Sequence, residues 1–252
     1  MNTRSTRIKL GISALALGVG VATITASPLE VNLLGSKYST YVFVATDVDW
    51  SAGVSRTNLS FHPYSDSIYS TFHDPQTPAN VGILGADANA DLFGVSVRTY
   101  CQHNKVFFPE KNSTAIAKSE ISFAPLTSGL ATLSFDRHVA QEWFYSEGSV
   151  SLFDVTANQT LWDYSWTFSQ FIPGADRSFN EDGSEDWTCL LETNFDATHT
   201  YALSMREQSW ADSDNQQIAL QLSGLTVVPE PSAFALTGLA AIGLLSSRRR
   251  RQ

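Results

Sequence analysis

The sequence predicts an all-β fold, an antiparallel, jelly-roll-like β-sandwich flanked by an N-terminal signal helix and a C-terminal transmembrane helix. Three observations predict it. Apolar and polar residues alternate at period two in six separate runs, the pattern of strands buried on one face. Turn-forming residues separate the runs. Between residues 27 and 228 no long stretch carries a helical period with caps.

The N-terminal element is an export signal. Arg4, Arg7 and Lys9 precede an uncharged apolar stretch, Leu10 to Ala26, that closes on the small residues Ala22 and Ala26 before Ser27-Pro28. That is the charged, apolar, small-residue order of a secretory signal, so residues 1–26 are expected to be removed. The apolar run has no polar face, which argues against an amphipathic helix packed on a cytosolic domain.

The body follows, residues 27–228, as one exported domain. Tyr41 to Ala45 is a β-branched and aromatic run, and Phe93, Val95 and Val97 alternate with Gly94, Ser96 and Arg98. Leu133 and Phe135 share a face, as do Val150 and Leu152, Leu203 and Met205, and Ile218, Leu220 and Leu222. Leu133, Phe135, Leu203, Leu220 and Leu222 are therefore expected in the core. Leu126 to Gly129, Ser146 to Ser149 and Thr156 to Gln159 supply the reversals, and Pro173 to Asp186 is the longest irregular segment. No fixed-period repeat occurs, which argues against a propeller or solenoid. A split into two domains near residues 112–118 is the other reading of the organisation.

Charge is unevenly placed. Of sixteen Lys and Arg, three lie in 1–26 and four in 229–252, while 24 of the 25 acids lie in the body, which carries a net charge of −15. So acidic a surface repels phosphates, and nucleic acid is excluded as a partner.

The C-terminal element, residues 229–252, has three parts in order: Pro229-Glu230-Pro231, an uncharged apolar segment from Ser232 to Ser247, and the basic cluster Arg248, Arg249, Arg250 and Arg251. Sixteen helical residues span about 24 Å against a hydrocarbon core of about 30 Å, a gap that snorkelling arginines and local thinning can close. By the positive-inside rule the basic cluster stays cytoplasmic, as does the N-terminal one, so the acidic body lies across the membrane.

These three parts resemble the PEP-CTERM sorting tail. The resemblance implies export by the secretion machinery, a membrane-anchored precursor, and cutting near the triplet by an exosortase-type membrane protease or transpeptidase. It also implies a bacterium that makes exopolysaccharide, and a mature protein at the cell surface or outside it. Residues 119–228 resemble the sandwich bodies carried by such proteins, on the runs Tyr201 to Ser204 and Leu222 to Leu225 that lead into Val228-Pro229. A plain tail anchor is the alternative reading of the same segment.

Within the body, Cys101 and Cys189 read as a disulfide in an oxidising compartment, with two free buried thiols as the alternative. Asp87, Asn89 and Asp91 have the alternate-oxygen spacing of a calcium loop, but Leu92 and Arg98 stand where an EF-hand needs Gly and Glu. They remain weak metal candidates beside Asp176, Glu181, Asp182, Glu185 and Asp186, with a solvated polar loop as the other reading. Trp162, Tyr164 and Trp166, continued by Phe168, place aromatic rings on one strand face, either a sugar-stacking platform or a wall of the core. No nucleophile elbow, His-Glu-x-x-His or Walker loop occurs, so no catalytic residue and no cofactor is assigned. The expectation is an exported non-enzymatic surface or matrix protein associated with exopolysaccharide. The alternatives are a carbohydrate-binding module using the aromatic strand face and a secreted hydrolase whose paired acids meet only in space.

Overall fold

The computed structural model describes residues 26–45, 54–73, 81–102, 112–140, 146–167, 171–211 and 216–229. In chain order the strands are β1 (Ser27–Pro28), β2 (Val31–Ala45), β3 (Val54–Ser60), β4 (Tyr64–His73), β5 (Val81–Ala90), β6 (Gly94–Gln102) and β7 (Asn112–Pro125). They continue with β8 (Gly129–Ala140), β9 (Ser146–Asp154), β10 (Gln159–Thr167), β11 (Asp176–Phe179), β12 (Glu185–Phe195), β13 (Tyr201–Ala211) and β14 (Gln216–Pro229). The segment expected to be a signal, up to residue 25, and the tail from Glu230 lie outside the described residues. Among the described residues no helix is long and apolar enough to cross a membrane.

Every pairing is antiparallel, and the strands form two sheets. The larger runs β11-β12-β8-β14-β6-β5-β4, with β1 also paired to β14; the smaller runs β10-β9-β13-β7-β2-β3. The chain passes repeatedly from one sheet to the other, so neighbours in a sheet are mostly distant in sequence. β7 is bonded to β2 on one side and to β13 on the other, which joins the two halves of the chain in one sheet. The last strand, β14, lies between β8 and β6 in the middle of the larger sheet.

The core lies between the sheets and follows the alternation read from the sequence. Burial along β9 alternates at every position, and Leu133, Phe135, Leu203 and Leu220 are all buried. Each side chain of this size contributes about 1.5–3 kcal/mol by leaving water. Leu222 is only half-buried, because β14 slips register against β8 between Leu222 and Gly224 and the inward row is broken there.

The same inward rows carry charge near one end. On β8 the row Ala131, Leu133, Phe135 continues to Arg137, and on β13 the row Tyr201, Leu203, Met205 continues to Glu207. Arg137 Nε donates to Glu207 Oε1 at 2.9 Å across the two sheets, with both side chains fully out of water. Beside them Ser209 Oγ donates to Gln216 Oε1 at 2.6 Å and lies 2.7 Å from Thr99 Oγ1, so one end of the core is hydrogen-bonded rather than oily.

The expected disulfide is not made. Cys101 lies on β6 and Cys189 on β12, with β14 and β8 between them. Three strand spacings of about 4.8 Å place them roughly 14 Å apart before any offset along the strands, twice the reach of a bridge. Cys189 is a free, buried thiol, its pKa raised by that burial.

Candidate functional site

Alternation that sends one set of side chains inward sends the other set out. On the larger sheet the outward set is polar, and the register lines it up in rows across the strands. One row reads Ser67, Asp87, Arg98 and Gln217; the next reads Ser65, Asn89, Ser96, Ala219, His138 and Asp186. A third places Gln221 beside Asp136 and Thr188.

Small side chains in the middle of these rows lower the floor. Three shallow hollows of about 370, 360 and 300 Å³ open on this face. The first two share Asn89 and Ser96 and the last two share Ala219 and Gln221, so they join into one trough running across β5, β6, β14 and β8.

At one end of the trough stands an aromatic platform. Tyr69, Gly85 and Tyr100 are opposite one another on β4, β5 and β6. A Cβ at Gly85 would fall 2.1 Å from Cζ and 2.4 Å from Oη of Tyr100, so the phenol end of that ring occupies the space over the glycine. Tyr69 is exposed and Tyr100 half-buried. The Arg98 guanidinium sits 5.1 Å from the centre of the Tyr100 ring and holds that end in place. Burial and the nearby Asp87 charge raise the Tyr100 phenol above its ordinary range, so it stays a neutral donor. Burial also raises Asp87, against the pull of Arg98.

The far end is bound together by acids. His138 Nδ1 lies 2.7 Å from Asp186 Oδ1, Asn180 Nδ2 donates to Asp186 Oδ2 at 2.8 Å, and Thr188 Oγ1 donates to Asp136 Oδ1 at 3.0 Å. Hydrogen bonds from Asn180 and His138 hold Asp186 below the ordinary carboxylate range. The trough therefore offers aromatic rings followed by neutral amides, hydroxyls and paired charges, which suits a ligand with hydroxyl groups on one edge and C–H faces on the other.

The sequence placed its aromatic candidates elsewhere. Trp162, Tyr164 and Trp166 lie on β10, at the edge of the smaller sheet, and turn inward. Trp166 is 3% exposed with its ring laid over Gly148, and Trp162 meets the core residue Phe135 edge-on at 6.1 Å. They pack against the core, Trp166 buried and Trp162 and Tyr164 half-buried. The outer face nearby holds a wider hollow of about 630 Å³ lined by Glu147, Asp163, Ser165 and Arg206.

The metal candidates are corrected too. Asp87 and Asn89 are strand residues on the outer face of β5, about two residue rises apart, and Asp87 faces Arg98. The Asp91 carboxylate accepts from the Phe93 amide at 2.9 Å and caps the turn. Asp182 likewise caps Ser184, and Arg177 pairs with Glu185 in the β11–β12 hairpin. Among the described residues no group of three His, Cys, Asp or Glu is placed to hold a metal. Pro229 ends β14 opposite Gly129; Glu230, Pro231, Arg248, Arg249, Arg250 and Arg251 lie outside the described residues.

The chain is thus a two-sheet antiparallel β-sandwich. No family model matches it, and neither does any curated protein. Among solved structures it is similar to carbohydrate-binding modules from the β-sandwich super family, at 11% identity over 74% of this chain and 84% of that one, with a TM-score of 0.23. It is also similar to VP2 protein in T=1 particles of Infectious Bursal Disease Virus, at 11% identity over 90% of this chain and 73% of that one, with a TM-score of 0.12. Likenesses this loose decide nothing about a ligand.

Proposed function

We propose that this is an exported, non-enzymatic surface or matrix protein that binds exopolysaccharide along the trough of its larger sheet, after an exosortase-type protease has acted on its tail. The jelly-roll comparison made from the sequence belongs to the same reading. The observation that carries it is the pair Tyr69 and Tyr100 on either side of Gly85, with the phenol end of Tyr100 over that glycine, at the head of a polar trough. The exposed Tyr69 ring and the half-buried Tyr100 ring give aromatic surface on which the C–H face of a sugar can stack, and the rows beyond them supply donors and acceptors at the strand spacing of about 4.8 Å. Asp87, Asp136 and Asp186 favour a neutral glycan over an acidic one.

The test is retention of the mature protein on the organism's own exopolysaccharide. Tyr100→Ala should weaken binding by about 2–10-fold, the worth of one aromatic contact. Trp162→Ala should weaken it only as far as it unfolds the protein. Retention that ignores Tyr100 and follows Trp162 would reject the trough.

A further inference from the structure

Both membrane-directed segments leave the body at one place. Ser27 pairs with Val227 and Pro28 with Thr226, so the chain enters beside the strand on which it departs, and Pro229 is the last residue of that strand. The tip there is built from the ends of β2, β7, β8 and β14, tied by Leu29 donating to Leu225 and Leu126 donating to Glu30.

Six apolar side chains meet solvent at this tip, beside the exposed Glu30 and Asn32. Val31 is 37% exposed, Leu33 50%, Leu34 57%, Leu126 50%, Leu130 42% and Val228 37%. They do not belong to the core, and no part of the sugar trough reaches them. Only Glu230 and Pro231 separate the tip from the uncharged segment that starts at Ser232. Three residue steps span at most about 11 Å, while the headgroup layer alone takes roughly 5–8 Å. If the segment from Ser232 is in the bilayer, the tip has no room to stand clear of it.

We infer that the Pro229 tip of the sandwich rests on the outer surface of the inner membrane in the precursor, with Leu33, Leu34 and Leu126 in contact with lipid. The occupant is the bilayer and not a second protein, because the tether fixes the tip against lipid whatever else is present. Glu30 at the same tip adds no attraction to anionic headgroups, so contact is apolar and held by the tether. Release of the tail would then free the tip and leave an apolar patch on the mature protein. The inference rests on the tail reading given above, and the two can fail separately.

The experiment uses the full-length precursor in cells lacking exosortase, with the photo-cross-linker p-benzoylphenylalanine in place of Leu34, of Leu126, or of Tyr69 on the trough face. Lipid adducts, read by mass, should form at positions 34 and 126 and be at least tenfold scarcer at 69. Circular dichroism of each variant checks that the body stays β. A precursor that resists carbonate extraction yet gives equal adducts at all three positions overturns the inference alone. A precursor released by carbonate overturns the tail reading, and the inference with it.

Discussion

A glycine beneath an aromatic ring occurs on both sides of this sandwich, with different consequences. Gly148 lies under Trp166 in the core, and Gly85 lies under Tyr100 on the open face. Adding a methyl group at Gly148 gives the indole nowhere to go, and Gly148→Ala should cost about 1–3 kcal/mol in urea unfolding, as overpacking does. At Gly85 the displaced atoms are the far end of a side chain bordered by solvent. Gly85→Ala should swing the Tyr100 ring aside, leave the unfolding midpoint nearly unchanged and lower polysaccharide retention as Tyr100→Ala does. Equal losses of stability at the two glycines would refute the distinction. Arg137 is the other decisive residue. Arg137→Met leaves Glu207 buried without its countercharge and should cost roughly 3–5 kcal/mol, while the double change with Glu207→Leu should recover most of it. A double variant no more stable than the single one would mean that the cost is lost packing instead.

At the scale of elements, the turns that join strands carry the pH response. The β9–β10 turn and the loop before β13 are tied by Asp154, whose carboxylate accepts from the Ala157 amide at 2.8 Å and lies 2.7 Å from His199 Nδ1. Burial pushes Asp154 up, but the Ala157 amide and His199 outweigh it and hold it below the ordinary carboxylate range. The hydrogen bond to Asp154 raises His199. A raised histidine stabilises fully below about pH 6.5 and loses that as pH climbs through its folded value; a lowered carboxylate stabilises above about pH 4 and loses that as pH falls. The tie should be strongest between those limits, so the thermal midpoint should fall from pH 6 to pH 8 by more in the native chain than in His199→Asn. Parallel curves would remove His199 from the account. The strands themselves were readable because period two fixes which side chains share a face. What the alternation could not say is which face meets the other sheet, so the rings of β10 looked as available as those of β4 and β6. The partners of Arg137, and the distance from Cys101 to Cys189, depend on which strands become neighbours, and the crossings between sheets set that. Extending the rows of β8 and β13 by one step would have flagged Arg137 and Glu207, because each breaks an otherwise apolar face.

For the whole molecule, the placing of β14 divides the chain into a part that must stay and a part that can go. β14 fills the gap between β8 and β6, so the larger sheet closes only when residues 216–229 have arrived. Pro229 is the last residue in the ladder, opposite Gly129, and proline has no amide proton to extend it. A chain ending at residue 230 should therefore unfold at nearly the same temperature as a chain with the whole tail, while one ending at 215 should not fold. The same division constrains processing. A protease acting on folded precursor cannot draw Val227 from between Ala131 and Ser27, or Val228 off Leu130, without opening the sheet, whereas Pro229 is the last paired residue of β14. The mature protein is expected to end at Pro229 or later, and Glu230→Ala or removal of Arg248–Arg251 should leave the body folded but impair its sorting. Mass and location of the protein in cells with and without exosortase check this. A mature C-terminus inside β14 would contradict the division, and an intact tail with unchanged location in both strains would leave a plain membrane anchor in its place.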